Sequence, residues 1–199
     1  MDERAFIAKF KRSGETRPHP GAYSAPTYEA TWARFGRVLA AVGGTFVGPV
    51  RAAELPATIT DAITKVPGRC VASASAEPLL TGTQGWTRAA DAAANPHGLA
   101  DVELGIITAE SAVAENAALL LTATSLPERA LAFLAQHVLV LVRTDVLVAD
   151  FITAQAKLRA PMPHHVTWMS GPSKTADIEQ TLVVGAHGAR SLIVIAYLR

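Results

Sequence analysis

Cysteine is nearly absent from this 199-residue chain, in which Cys70 stands alone. A single thiol forms no intrachain disulfide. It also falls short of the roughly three or four thiolate or imidazole ligands that a self-contained zinc or iron–sulfur site needs. Histidine does not make up the deficit: His164-His165 would project to opposite sides of a strand, and no His-x-x-x-His pair occurs, so no metal site is expected. An excess of one charge is missing too, since 18 basic and 17 acidic side chains give a formal net charge of +1. General nucleic-acid binding, which leaves a basic footprint, is therefore disfavoured. Apolar runs such as Ala130–Ala135 and Leu192–Tyr197 reach only about a third of the ~18–20 residues that cross a bilayer. The start Met1-Asp2-Glu3-Arg4 lacks the apolar core of a secretory signal. A cytoplasmic protein with Cys70 reduced is expected. Also lacking are a Gly-x-Ser-x-Gly nucleophile elbow, a Gly-x-Gly-x-x-Gly dinucleotide loop and a Cys-x-x-Cys pair, which weakens serine-hydrolase, nicotinamide-dehydrogenase and redox-carrier readings.

What is present suits one α/β domain. Half of the residues are hydrophobic, and a chain of this length buries enough surface to fold without staples. Residues 1–25 read as a short helix with Phe6, Ile7 and Phe10 on one face, followed by an irregular arm around Pro18-His19-Pro20-Gly21. Residues 26–199 form the domain proper. Tyr28, Trp32, Phe35, Leu39 and Val42 recur at helical spacing before Gly43-Gly44, which predicts a core-facing helix. Short apolar runs then alternate with helical patterns. Strands are expected at Thr45–Val47, Arg69–Ser73, Val102–Thr108, Ala117–Thr122, His137–Arg143, His165–Ser170 and Leu192–Leu198. Helices are expected at 54–65, 87–94, 109–116, 125–136, 145–159 and 175–184. That alternation implies a largely parallel sheet flanked by helices, with the apolar run Leu192-Ile193-Val194-Ile195 inside it. Ser125-Leu126-Pro127-Glu128 fits a capping box, and Ser173 or Thr175 could cap a helix beginning near Ala176.

Three segments could carry chemistry. Gly171-Pro172-Ser173-Lys174-Thr175 joins a predicted strand to a predicted helix, a junction expected at the C-terminal edge of a parallel sheet. Donors on Ser173, Lys174 and Thr175, beside free helix amides, would suit a phosphate or carboxylate. The alternative is a well-capped helix with Lys174 in solvent, and the local chemistry favours neither. Gly185-Ala186-His187-Gly188 leaves His187 between two flexible positions, as a proton shuttle or as a merely solvated side chain. In the polar stretch 108–116, Glu110 and Glu115 would point about 140° apart on a helix and so make no acid/base pair. Glu110 reads as the more solvated of the two and Glu115 as the candidate general base.

Together, Gly171-Pro172-Ser173-Lys174-Thr175-Ala176-Asp177-Ile178-Glu179 and Gly185-Ala186-His187-Gly188 resemble the closing signature of the lactate utilization protein C family, which carries the LUD domain. Upstream, Gly105–Thr108 through Ala114-Glu115 looks like the family's run into an Ala-Glu-Ser/Thr-Gly turn, where this chain has Asn116-Ala117 instead. The resemblance implies a fold similar to the superfamily of ribose-5-phosphate isomerase, glucosamine-6-phosphate deaminase and CoA transferases. It further implies a part in bacterial growth on lactate, beside iron–sulfur partner proteins that oxidise L-lactate to pyruvate. Carried over by position are Glu115, Asp177 and His187 as candidate catalytic groups, Gly171, Ser173, Lys174 and Thr175 as anion ligands, and Glu179, Gly185 and Gly188 as supporting residues, with Glu115 and His187 bordering one cleft. With no cluster of its own, such a chain is expected to be an accessory or substrate-binding subunit. A free-standing enzyme of the isomerase, CoA-transfer or nucleotide-using type, acting on a small phosphorylated or carboxylated metabolite, is the competing expectation.

Overall fold

A computed structural model describes residues 26–89, 96–158, 163–176 and 182–199. The expected helix and arm in 1–25 lie outside them, as do Asp177 and Glu179. Helix α1 (Trp32–Ala41) is capped by the Thr31 hydroxyl, which accepts from the Arg34 amide. It buries Phe35 and Leu39 from the predicted stripe. Strand β1 (Thr45–Val50), helix α2 (Leu55–Thr64) and strands β2 (Arg69–Ala72), β3 (Thr87–Arg88) and β4 (Val102–Ala109) follow. After them come β5 (Ser111–Val113), β6 (Leu119–Thr122), α3 (Leu131–Leu134), β7 (His137–Arg143), β8 (Leu147–Val148) and α4 (Phe151–Lys157). The chain closes with β9 (Val166–Met169), β10 (Lys174–Ala176), β11 (Leu182–Val184) and β12 (Ser191–Tyr197).

Six strands form one parallel sheet in the order β1-β12-β7-β4-β2-β3. The expected parallel α/β architecture is thus present, with β12 paired on both sides. Strand periodicity explains its two cores. Val138, Val140, Val142, Leu192, Val194 and Ala196 pack with Phe35 and Leu39 on one face, while Leu139, Leu141 and Ile195 pack with Ile59 and Ile63 on the other. A strand covered on both faces must be apolar at nearly every position, which is why these runs were legible. No helix among the described residues is long and apolar enough to cross a membrane.

The helix predictions fare less well. The stretch 109–116 is not helical: β5 and a turn occupy it, and β5 joins a second sheet in the order β8-β5-β6-β9. Within 87–94 the described part opens as β3. Only Leu131–Leu134 of the stretch 125–136 is α-helical, and 145–159 divides into a 3-10 turn, β8 and α4. Where a helix was expected over 175–184, β10 and β11 pair antiparallel. The proposed caps fail accordingly. The Ser125 hydroxyl accepts from the Thr122 amide at 2.9 Å, and Glu128 reaches Ser73 rather than Ser125, because α3 begins only after Glu128.

Candidate functional site

The two signature segments do meet. Gly171 and Ser173 from the turn after β9, and His187 and Gly188 from the loop before β12, line one cavity of about 320 Å³. Trp168 and Met169 of β9, Phe133 of α3 and Leu192 of β12 supply its apolar wall. The turn is held by backbone bonds across the hairpin: Ser173 N donates to Ala189 O at 2.8 Å, and Gly185 N donates to Ser173 O at 2.9 Å. Two glycines permit the close fit. Gly171, at φ +82°, brings the turn to within 3.0 Å of Val42 for any added Cβ, and a Cβ on Gly188 would stand 3.1 Å from that of Ser173. A left-handed backbone and a missing side chain are what glycine provides at such contacts.

This cavity is not at the C-terminal edge of the parallel sheet, where the sequence reading placed it. β9 belongs to the second sheet, antiparallel to β6, so its end opens elsewhere, while Leu192 marks the start of β12. Nor does a helix N-terminus supply amides, since β10 begins at Lys174. The local donors are the Ser173 hydroxyl, the exposed His187 imidazole and loop amides: among the described residues, those of His187 and Gly188 donate to no backbone carbonyl. Lys174 points away, donating its ammonium to the Val42 carbonyl at the end of α1. Neither Lys174 nor Thr175 lines the cavity.

The Glu115 side chain is engaged at α4. Its carboxylate accepts from the Phe151 amide at 2.8 Å, serving the first turn of α4 beside the Asp150 cap, which accepts from Thr153 N. It is not among the residues lining the His187 cavity. The adjoining turn explains the Asn116-Ala117 pair. Ala117 is a non-glycine residue at φ +55°, and the Asn116 side chain accepts from Ala118 N at 3.0 Å. That Asx interaction stabilises a turn that would otherwise favour glycine. The Ser170 hydroxyl donates to the Asn116 carbonyl at 2.6 Å, tying the turn to β9.

A second cluster was not visible in the sequence as a unit, although Glu110, Ser125 and Glu128 were noted there singly. At the C-terminal ends of β2 and β4, the Ser73 hydroxyl donates to Glu128 at 2.6 Å, the Thr122 hydroxyl donates to Glu110, and the Ser75 and Thr108 hydroxyls both donate to the Ser125 carbonyl. Their only local signal is a scatter of serines and threonines just past apolar runs, which any loop could show. Cys70, by contrast, is a core residue: burial pushes its thiol up to about 12.

Comparison with known proteins agrees with this architecture. The chain is 34% identical over 93 residues to lactate utilization protein C of Exiguobacterium sp., covering 43% of this chain and 40% of that protein. It is 32% identical over 101 residues to an uncharacterized protein of Neisseria meningitidis serogroup B, covering 49% of this chain and 43% of that one. The matched stretch thus spans about two-fifths of these relatives' length. A crystal structure of a DUF162 family protein from Deinococcus radiodurans shares the fold, with a TM-score of 0.62 at 22% identity over 83% of this chain and 94% of that one. The LUD domain model matches residues 50–197, which is most of the chain, and this protein therefore belongs to the LUD domain family.

Proposed function

We propose that this protein is an accessory, substrate-binding subunit of a bacterial lactate utilization system, holding a small carboxylate in the signature cleft while iron–sulfur partner proteins carry the electrons. The observation that carries this reading is the convergence of Gly171, Ser173, His187 and Gly188 on one cavity in a chain whose relatives include proteins named lactate utilization protein C. Ser173 Oγ and the loop amides offer hydrogen bonds to an oxyanion, and the apolar wall suits a methyl group. Conversion of lactate to pyruvate releases two electrons and two protons. The exposed imidazole of His187 borders the cavity, where a ring nitrogen can exchange a proton with a bound ligand, whereas one buried cysteine is no ligand set for a cluster. The electrons are thus assigned to a partner.

Purification of the native protein from lactate-grown cells tests the assembly, with co-eluting iron and acid-labile sulfide as the expected result. Calorimetric titration with lactate, pyruvate and phosphate tests the cleft. Ser173→Ala should weaken binding about tenfold, the worth of one hydrogen bond to a charged group, with an unchanged melting temperature. Full affinity in that variant, together with no co-eluting iron, would overturn the proposal.

A further inference from the structure

The C-terminal ends of four adjacent strands frame a second cavity, of about 370 Å³, bordered by Ser75 beyond β2, Thr108 of β4, Glu110, Arg143 of β7 and Tyr197 of β12. Carboxyl ends of parallel strands are where open α/β sheets bind ligands. The decisive feature is which hydrogens are already committed. Ser75 Oγ lies 2.6 Å from the Ser125 carbonyl, closer than its 3.3 Å contact with Ser73 Oγ, whose own hydrogen goes to Glu128, and Thr108 Oγ1 lies 3.2 Å from the same carbonyl oxygen. A carbonyl only accepts, so both hydroxyl hydrogens point at it and both hydroxyl oxygens keep lone pairs free. Glu110 accepts from Thr122 through one carboxylate oxygen, and its other oxygen has no partner given by a described residue. This side of the cavity is therefore a row of acceptors that calls for ligand donors.

The opposite side donates. Arg143 spends Nε, at 2.9 Å, and Nη2 on Asp145, which neutralises its charge and leaves Nη1 uncommitted. Burial raises the Tyr197 phenol above its ordinary range, so it stays protonated and able to donate. With Arg143 paired, Glu110 leaves the lining net negative, which disfavours a carboxylate or phosphate. Ammonium ligands would satisfy the acceptors but leave the facing donors empty. Hydroxyl groups both donate and accept, so they match both sides.

We propose that this cavity is a binding site for a small neutral polyhydroxy compound, independent of the signature cleft and of its ligand. Ribitol, titrated into the full chain and followed by amide chemical shifts, is the probe, with lactate, inorganic phosphate and ethylammonium as comparators. Expected are saturable shifts at Thr108, Glu110 and Tyr197 with ribitol alone. Thr108→Val should weaken ribitol binding about tenfold, Thr108→Ser should restore it, and Ser173→Ala should leave it unchanged. The Ser replacement keeps the acceptor oxygen, so its success separates lost recognition from lost folding. Absence of ribitol-induced shifts at these residues would overturn the proposal, as would undiminished binding in Thr108→Val or a stronger response to phosphate, lactate or ethylammonium.

Discussion

Lys174 donates its side-chain ammonium to the carbonyl of Val42, joining the signature turn to the C-terminal end of α1 across 132 positions of sequence. A cation at a helix C-terminus interacts favourably with the carbonyls exposed there. The contact is exposed, so Lys174→Met should cost about 0.3–1 kcal/mol of stability. Affinity in the His187 cavity should change less than twofold, about what a remote surface charge contributes. Urea titration and calorimetry on the same variant read the two effects separately, and a large affinity loss at unchanged stability would contradict the assignment.

Glu115 offers a similar separation of roles. Because its carboxylate accepts from Phe151 N at 2.8 Å, Glu115→Ala should destabilise the protein by about 0.5–2 kcal/mol, as loss of a helix cap does. Glu115→Gln keeps an acceptor oxygen and should lose less. Ligand affinity in the signature cleft should be unaffected by either change, and a variant that melts normally yet no longer binds would assign Glu115 a direct role.

At Ala117 two effects oppose each other. The left-handed backbone at φ +55° costs a residue with a Cβ about 1–2 kcal/mol. Its methyl is fully buried, worth about 0.8 kcal/mol, and glycine adds about 0.5–1 kcal/mol of unfolded-state entropy. Ala117→Gly should therefore be nearly neutral, within about 0.8 kcal/mol either way. Ala117→Val combines β-branching with overpacking and should cost about 2 kcal/mol or more. Chemical denaturation of the pair checks the contrast.

Cys70 sets an alkaline limit. Its folded-state value of about 12 lies above the free thiol's ~8.5, so the unfolded chain ionises first. The stabilisation from the buried neutral thiol is complete below the unfolded value and is lost as pH rises towards 12, with a slope near 1.4 kcal/mol per pH unit. Cys70→Ala should flatten that slope in denaturation measured from about pH 8 to 10.5, a range set by the free-thiol value. Native Cys70 should also resist alkylation until urea exposes it.

Local chemistry determined the apolar runs of β4, β7 and β12 and the stripe of α1, because a strand buried on both faces must be apolar throughout and a packed helix repeats every three to four residues. The signature residues that line the cavity could likewise be named from sequence. Pairing partners could not, because strand identity depends on distant chain. The Ser173–Glu179 pattern has the local signs of a capped helix, yet Ser173 bonds to Ala189 and Gly185, and Leu182–Val184 completes a hairpin with residues 174–176. Leucine and valine fit a pleated surface once such a partner is available. The same nonlocal choice, β9 pairing with β6 instead of entering the parallel sheet, moved the signature cleft from the strands' C-terminal edge to the start of β12. Spending the Ser75 and Thr108 hydrogens on Ser125 likewise required bringing two separate loops to the end of β4, because hydrogen-bond direction is set by whichever acceptor the tertiary fold places within reach.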